Sequence, residues 1–480
     1  GANLDFFPLG GLIRRTGGLF IRRSMKGDPV YKYVLRSYLA HLMAHNQNIG
    51  WSIEGGRTRT GKLRPPRYGV LNYAIQAMRN HEGPEPYIVP VSVVYDQLSE
   101  VATMAAEALG ASKRPEGIGW ILRFTQMQRQ KGGVARVDFG EPMPLRSEVA
   151  ALEEDPRSRD ILVERVALSV CHRINQATPA TPTAVVTLAF LAAERGLTVP
   201  EVMEGLEPIL GYLAEHPHLP HAVHGELRDR SWVESTLEQL VDRGILGRFE
   251  EGVEPVYFIA PDQHLVAAFY RNSLIHFLVV RAIGEFAGYL ERDSGGDVGN
   301  VIWERALELR ELLKFDFFFS SRRDFNRELL AELASIDPSA HLAANLAEGH
   351  RPPITSDTTR RWLEMARPHV AHLVLRPFLD AYRVVADALA SWPPDEAVDE
   401  EALLERCLRV GKQRVVQKRL HSPESVTLEL FRSGLKLATH RGLVQGTGAE
   451  AQAERQAFAA RVGTLVDELD ALVHLRRLAS

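Results

Sequence analysis

The chain has 480 residues, 45% hydrophobic and 25% charged, with a formal net charge of −4. These are globular proportions for about two to four domains, and they exclude a wholly disordered or collagen-like chain. The longest strongly apolar run, Ala184–Ala193, falls short of the roughly 18–20 residues that span a bilayer, and two cysteines, Cys171 and Cys407, cannot build a disulfide framework or a four-thiolate zinc site.

So few cysteines fit a cytosolic chain with reduced thiols. No basic n-region follows Gly1, so no signal peptide is read there. Charge is uneven along the chain. Residues 1–150 hold 20 Lys and Arg against 12 Asp and Glu, and the remainder is acidic. A basic first part points to an anionic partner: a phosphorylated substrate, nucleic acid or lipid headgroups.

In chain order, Gly18–Arg23 reads as a strand. Asp28-Pro29 then supplies an N-cap and a first-turn proline for a helix with Leu35, Tyr38, Leu39, Leu42 and Met43 at helical spacing. Ile49–Ile53 is a second strand, Gly69–Asn80 a helix, Tyr87–Val94 a third strand and Val134–Phe139 a fourth. The alternation predicts an α/β domain over residues 1–177, with a mixed, largely parallel sheet flanked by helices. Pro179–Pro182 reads as a linker. Residues 183–480 are then mainly helical, with a further boundary at about 391–400. Within them Val233–Gly247 predicts a helix followed by a hairpin, Arg248–Glu250 with Pro255–Ile259, turning at Glu251-Gly252. Its acidic flank argues against a nucleic-acid partner.

The densest chemical signal is Trp51–Lys62, WSIEGGRTRTGK. Glycines let backbone N–H groups approach an anion. Arg57 and Arg59, two apart, face the same way if the segment is extended, and their guanidinium forks suit a phosphate; Lys62 adds a point charge. Glu54 can accept a hydrogen bond from a polyol hydroxyl or orient an arginine, and beside arginines its proton affinity is expected to be low. Gly56–Lys62 imitates a Walker A loop, but Leu63 replaces the magnesium-binding hydroxyl and Pro65-Pro66 forbids the helix that should follow. His41 and His45 lie four apart on one helix, without an evident third ligand, so no metal site is assigned. Phe315–Phe319 (FDFFF) reads as core in preference to a lipid-facing edge.

Three segments resemble, in order and spacing, the second to fourth conserved blocks of the glycerol-phosphate acyltransferases: GGLFIRR at Gly17–Arg23, IEGGRTRTGK at Ile53–Lys62 and IVPVSVVYD at Ile88–Asp96. The resemblance implies acyl transfer from acyl-CoA or acyl-carrier protein to the sn-1 hydroxyl of glycerol 3-phosphate, giving lysophosphatidate, at the cytoplasmic face of the membrane. It assigns Arg23, Glu54, Gly55 and Arg57 to glycerol-phosphate binding and Pro90 to the fourth block; Arg59 and Lys62 join them on physical grounds. No metal or cofactor is implied.

The family's base is a histidine with an aspartate five residues on, in a block preceding the second. The sixteen residues before Gly17 hold no histidine. The sequence's single match to that pattern, His224 to Asp229, falls in the helical part, after every other block. The expectation is therefore a truncated enzyme, inactive as it stands. The alternative is a non-catalytic anion- or membrane-surface-binding protein derived from the same fold.

Overall fold

A computed structural model describes residues 9–22, 27–80, 83–98, 100–108, 134–215, 226–337 and 354–479. The first part holds α1 (Leu9–Arg15), α2 (Pro29–Ala44), α3 (Tyr68–Arg79), β1 (Tyr87–Ile88), β2 (Val91–Tyr95), α4 (Val101–Ala108), β3 (Ala135–Phe139), β4 (Met143–Pro144), α5 (Leu145–Glu154), α6 (Pro156–Arg159) and α7 (Leu162–Gln176). The rest begins with α8 (Pro182–Ala193), α9 (Val199–Ala214), α10 (Arg230–Asp242), β5 (Gly247–Phe249) and β6 (Val256–Phe258). It continues through α11 (His264–Asn272), α12 (Ile275–Leu290), α13 (Gly299–Leu313), α14 (Arg322–Ile336), α15 (Ser356–Met365), α16 (Ala371–Ala390), α17 (Glu400–Val416), α18 (Leu428–His440) and α19 (Gly448–Ala479).

Local signals place the helix starts. The Asp28 carboxylate accepts from the Tyr31 N–H at 2.9 Å, with Pro29 in the first turn of α2. Thr181 caps α8 in the same way, and Thr198 with Glu201 forms a capping box on α9. The predicted hairpin is present as β5 against β6 in antiparallel register, Arg248 opposite Tyr257. Glu238 of α10 ties it down through Arg248 and the Tyr257 hydroxyl, at 2.6 and 2.7 Å.

The expected largely parallel sheet does not appear among the described residues. Three two-stranded ladders do, β1 with β4, β2 with β3 and β5 with β6, and all are antiparallel. The third predicted strand breaks at Pro90, which has no N–H to donate to a ladder. Ile49–Ser52 and residues 18–22 form no strand, and Ile53 lies in a turn. Ile53 and Val89–Val94 line the same cavity and do not pair with each other. One face of the β2–β3 pair, Val91, Val93 and Tyr95 with Val137 and Phe139, is exposed, while Ser92 on the other face is buried against Thr178.

Two hydrophobic cores form among the described residues. A small one joins Ile53 to Leu71, Ile75, Val149, Val166 and Val170, from α3, α5 and α7. The large one fills the helical remainder around α12 and α16. The Pro179–Pro182 segment is no exposed tether, since Ala180 and Thr181 are each 1% exposed. No single described helix is long and apolar enough to cross a membrane; α11 and α12 pass such a test only as a pair bent by 90°.

Candidate active site

The main cavity, about 1160 Å³, lies between Asn46–Glu54, α3, the β1–β2 segment and the start of α12. Its walls are largely apolar, with Met43, Trp51, Ile88, Ile174 and Phe318 among them. Its polar lining includes Glu54, Thr58 and Lys62 from the glycine-rich loop, Glu85 and Arg146 elsewhere in the first part, and Asn272, His276 and Asp316 from the helical part.

The loop is a series of turns and bends and not an extended strand. Gly55 has φ +62°, a conformation a side chain resists, and a Cβ there would meet the Arg67 Cγ at 2.9 Å. The turn lets the Glu54 carboxylate accept from the Arg64 N–H at 2.9 Å. Burial raises the Glu54 pKa above its ordinary value, with the Arg64 hydrogen bond and charge opposing. That reverses the low proton affinity expected from the sequence. The arginines meant to lower it face elsewhere.

Because the loop turns, Arg57 and Arg59 do not converge. Arg57 is 61% exposed and pairs with Glu100 at 2.5 Å, outside the cavity lining. Arg59 lines a separate small pocket with Phe378 and Glu424. Lys62 does reach the cavity, but its ammonium lies 2.9 Å from the Asp316 carboxylate. Burial pushes the Lys62 pKa down while Asp316 opposes the shift. Pro90 is buried in the cavity wall and its carbonyl accepts from the Gly140 N–H at 2.8 Å. Arg23 lies outside the described residues, as does His224.

Asp229, the partner in the single His–Asp match, caps α10 by accepting from the Ser231 N–H at 2.8 Å. The His41 and His45 rings lie 4.1 Å apart, tilted by 41°, and the His45 Nδ1 sits 2.8 Å from the His41 carbonyl. The Phe315–Phe319 run is interior. Phe317 joins the large core and Phe318 packs on the small one.

Sequence reasoning missed Asn272, Asp316 and His276. Burial pulls the His276 pKa down to about 3, and its Nε2 has no hydrogen-bond partner among the described residues. Only the FDFFF run offered a sequence signal, an acid set inside an aromatic cluster. All three come from parts of the chain remote from the loop they face.

A glycine-rich loop thus borders a large, mainly apolar cavity, and relatives give the family. Residues 2–94 match the family described as acyltransferase, and residues 104–447 match the glycerol-3-phosphate acyltransferase C-terminal region. The chain belongs to the glycerol-3-phosphate acyltransferase family. It is 46% identical over 481 residues to the plsB1 proteins of Mycobacterium tuberculosis H37Rv and Mycobacterium bovis, covering 99% of this chain and 76% of theirs. The glycerol-3-phosphate acyltransferase of Aeromonas hydrophila is 28% identical over 408 residues, 81% of this chain and 50% of its own.

Proposed function

We propose that this chain binds glycerol 3-phosphate at the Glu54–Lys62 loop and takes an acyl chain from acyl-CoA or acyl-carrier protein in the adjoining cavity. The observation that carries this reading is that Glu54, Thr58 and Lys62 of the glycine-rich loop line the same mainly apolar cavity as Met43, Trp51, Ile88 and Phe318. The apolar walls suit a fatty-acyl chain. The sn-1 hydroxyl attacks the thioester carbonyl, the C–O bond forms, the C–S bond breaks, and the hydroxyl proton leaves with the thiol. The product is lysophosphatidate.

Glu54 holds the Arg64 backbone and faces the cavity, where a raised proton affinity lets it exchange a hydrogen bond with a polyol hydroxyl. Arg57 offers an exposed fork to the phosphate at the loop's outer side. The basic first part of the chain suits peripheral attachment to an anionic lipid surface at the cytoplasmic face.

A glycerol hydroxyl needs a positioned base, worth about 10²–10⁴ in rate. The one His–Asp match of the family's spacing has its aspartate committed to a helix cap. Fast transfer by the described arrangement therefore calls for a base other than the His224–Asp229 pair. The test is a steady-state assay of acyl-CoA turnover with glycerol 3-phosphate, run on this chain and on its His224→Ala variant. Fast turnover abolished by His224→Ala would make His224 the base and overturn the assignment.

A further inference from the structure

Three consecutive loop residues are gripped by the helical part of the chain. The Thr60 carbonyl accepts from the Asn272 side chain at 2.8 Å. At Gly61, with φ +84°, the loop backbone passes directly against the Phe269 carbonyl. Lys62 closes the set on Asp316, 254 residues away along the chain. The ammonium also lies 4.8 and 4.1 Å from the ring centroids of Phe317 and Phe378. Asp316 receives a second hydrogen bond, from the Tyr382 hydroxyl of α16.

This pair is expensive to bury. The Lys62 and Asp316 side chains are 11% and 3% exposed, and such pairs repay their desolvation only when fully hydrogen-bonded, so an apolar residue often gives equal stability. What an ion pair supplies that packing does not is a single register. Here the register is that of the loop carrying Glu54, Gly55 and Arg57. The neighbours of Asp316 join the same construction to both cores, through Phe317 on one side and Phe318 on the other.

We infer that Lys62 is no ligand of the substrate phosphate, and that Asp316 and Tyr382 are positioning residues that hold the glycine-rich loop in its binding geometry through Lys62. The inference rests on the loop being the glycerol 3-phosphate site. It makes the helical part of the chain a component of that site, acting at three successive loop positions.

The experiment uses the whole chain with glycerol 3-phosphate as the probe. Calorimetric affinity and backbone hydrogen exchange of residues 54–62 are measured for the parent, Lys62→Met, Asp316→Asn, Tyr382→Phe and the Lys62→Met/Asp316→Asn pair. The two single changes at the ion pair should each weaken binding about 10–100-fold and speed exchange of the loop, since a misplaced site loses affinity on this scale. The pair of changes should cost no more than the worse single one, because coupled residues are not additive. Tyr382→Phe, which keeps the ion pair and the packing, should weaken binding a few-fold by the same route. The exchanged pair Lys62→Asp/Asp316→Lys should recover part of the loss.

Weak binding in Lys62→Met with parental binding in Asp316→Asn would make Lys62 a direct phosphate ligand and overturn the inference. Parental exchange of the loop in both Asp316→Asn and Tyr382→Phe would also overturn it. A parent chain that does not bind glycerol 3-phosphate removes the proposed function instead. The loop's exchange in the same samples then still decides whether Asp316 holds it.

Discussion

Gly61 lies so close to Phe269 that a Cβ at position 61 would stand 1.8 Å from the Phe269 carbonyl oxygen. Two costs coincide there. The backbone is left-handed at φ +84°, and the contact is with backbone, which cannot swing aside as a side chain can. Gly61→Ala should therefore destabilise the chain by about 2–5 kcal/mol, combining left-handed strain with overpacking. Urea unfolding measures it. Gly69, with open space around its Cβ position and ordinary φ, is the control: Gly69→Ala inside α3 should be neutral or stabilising.

Arg57→Lys should weaken glycerol 3-phosphate binding by about 1–3 kcal/mol, because a two-pronged contact becomes a point contact. Glu100 holds Arg57 in the free chain, so Glu100→Gln should not weaken binding. Calorimetry reads both. Unchanged affinity in Arg57→Lys removes Arg57 from the site.

Anionic vesicles should co-sediment with the chain at low salt and release it as salt rises, since exposed charges are screened over about 8–10 Å at physiological strength. Neutral vesicles should retain little. Binding indifferent to salt and to lipid charge would sink the electrostatic account.

Acid should destabilise the chain in two stages. The pKa of His276 is held at about 3 in the fold against 6.5 ordinarily, so its contribution is present above 6.5 and is lost as pH falls toward 3. For Glu424 burial acts upward, but Arg271 and His264 outweigh it and hold the pKa at about 2 against 4.5. Its contribution is present above 4.5 and lost as pH falls toward 2, of the order of 3 kcal/mol across that window. Glu424→Gln should flatten the dependence between about pH 4.5 and 2. At neutral pH it should also cost about 3–5 kcal/mol by stranding buried Arg271. Denaturant midpoints over a pH series check both stages.

Short-range rules made much of this fold legible. Asp28-Pro29 announces α2, Glu251-Gly252 the hairpin, and the glycine–arginine run the loop that borders the cavity. Pairing over long range was not legible. Arg57 and Arg59 share a face only on an extended chain, and positive φ at Gly55 and Gly61 turns the segment so that each meets different neighbours. Lys62 looked like a free cation because its partner is 254 residues away in an aromatic run that periodicity reads as core. The same limit applies to the sheet: alternation predicts strands, but which edges meet depends on what lies between them.

Ala180 and Thr181 are almost wholly covered, and that bears on how the molecule can be cut. A protease needs several residues of accessible, deformable backbone, and the junction at 178–181 offers it none. The Pro393–Val398 connector between α16 and α17, exposed over most of its length, is the better target. Dissection at the apparent boundary near 180 would uncover apolar surface on both pieces, so neither half is a sound object for separate study.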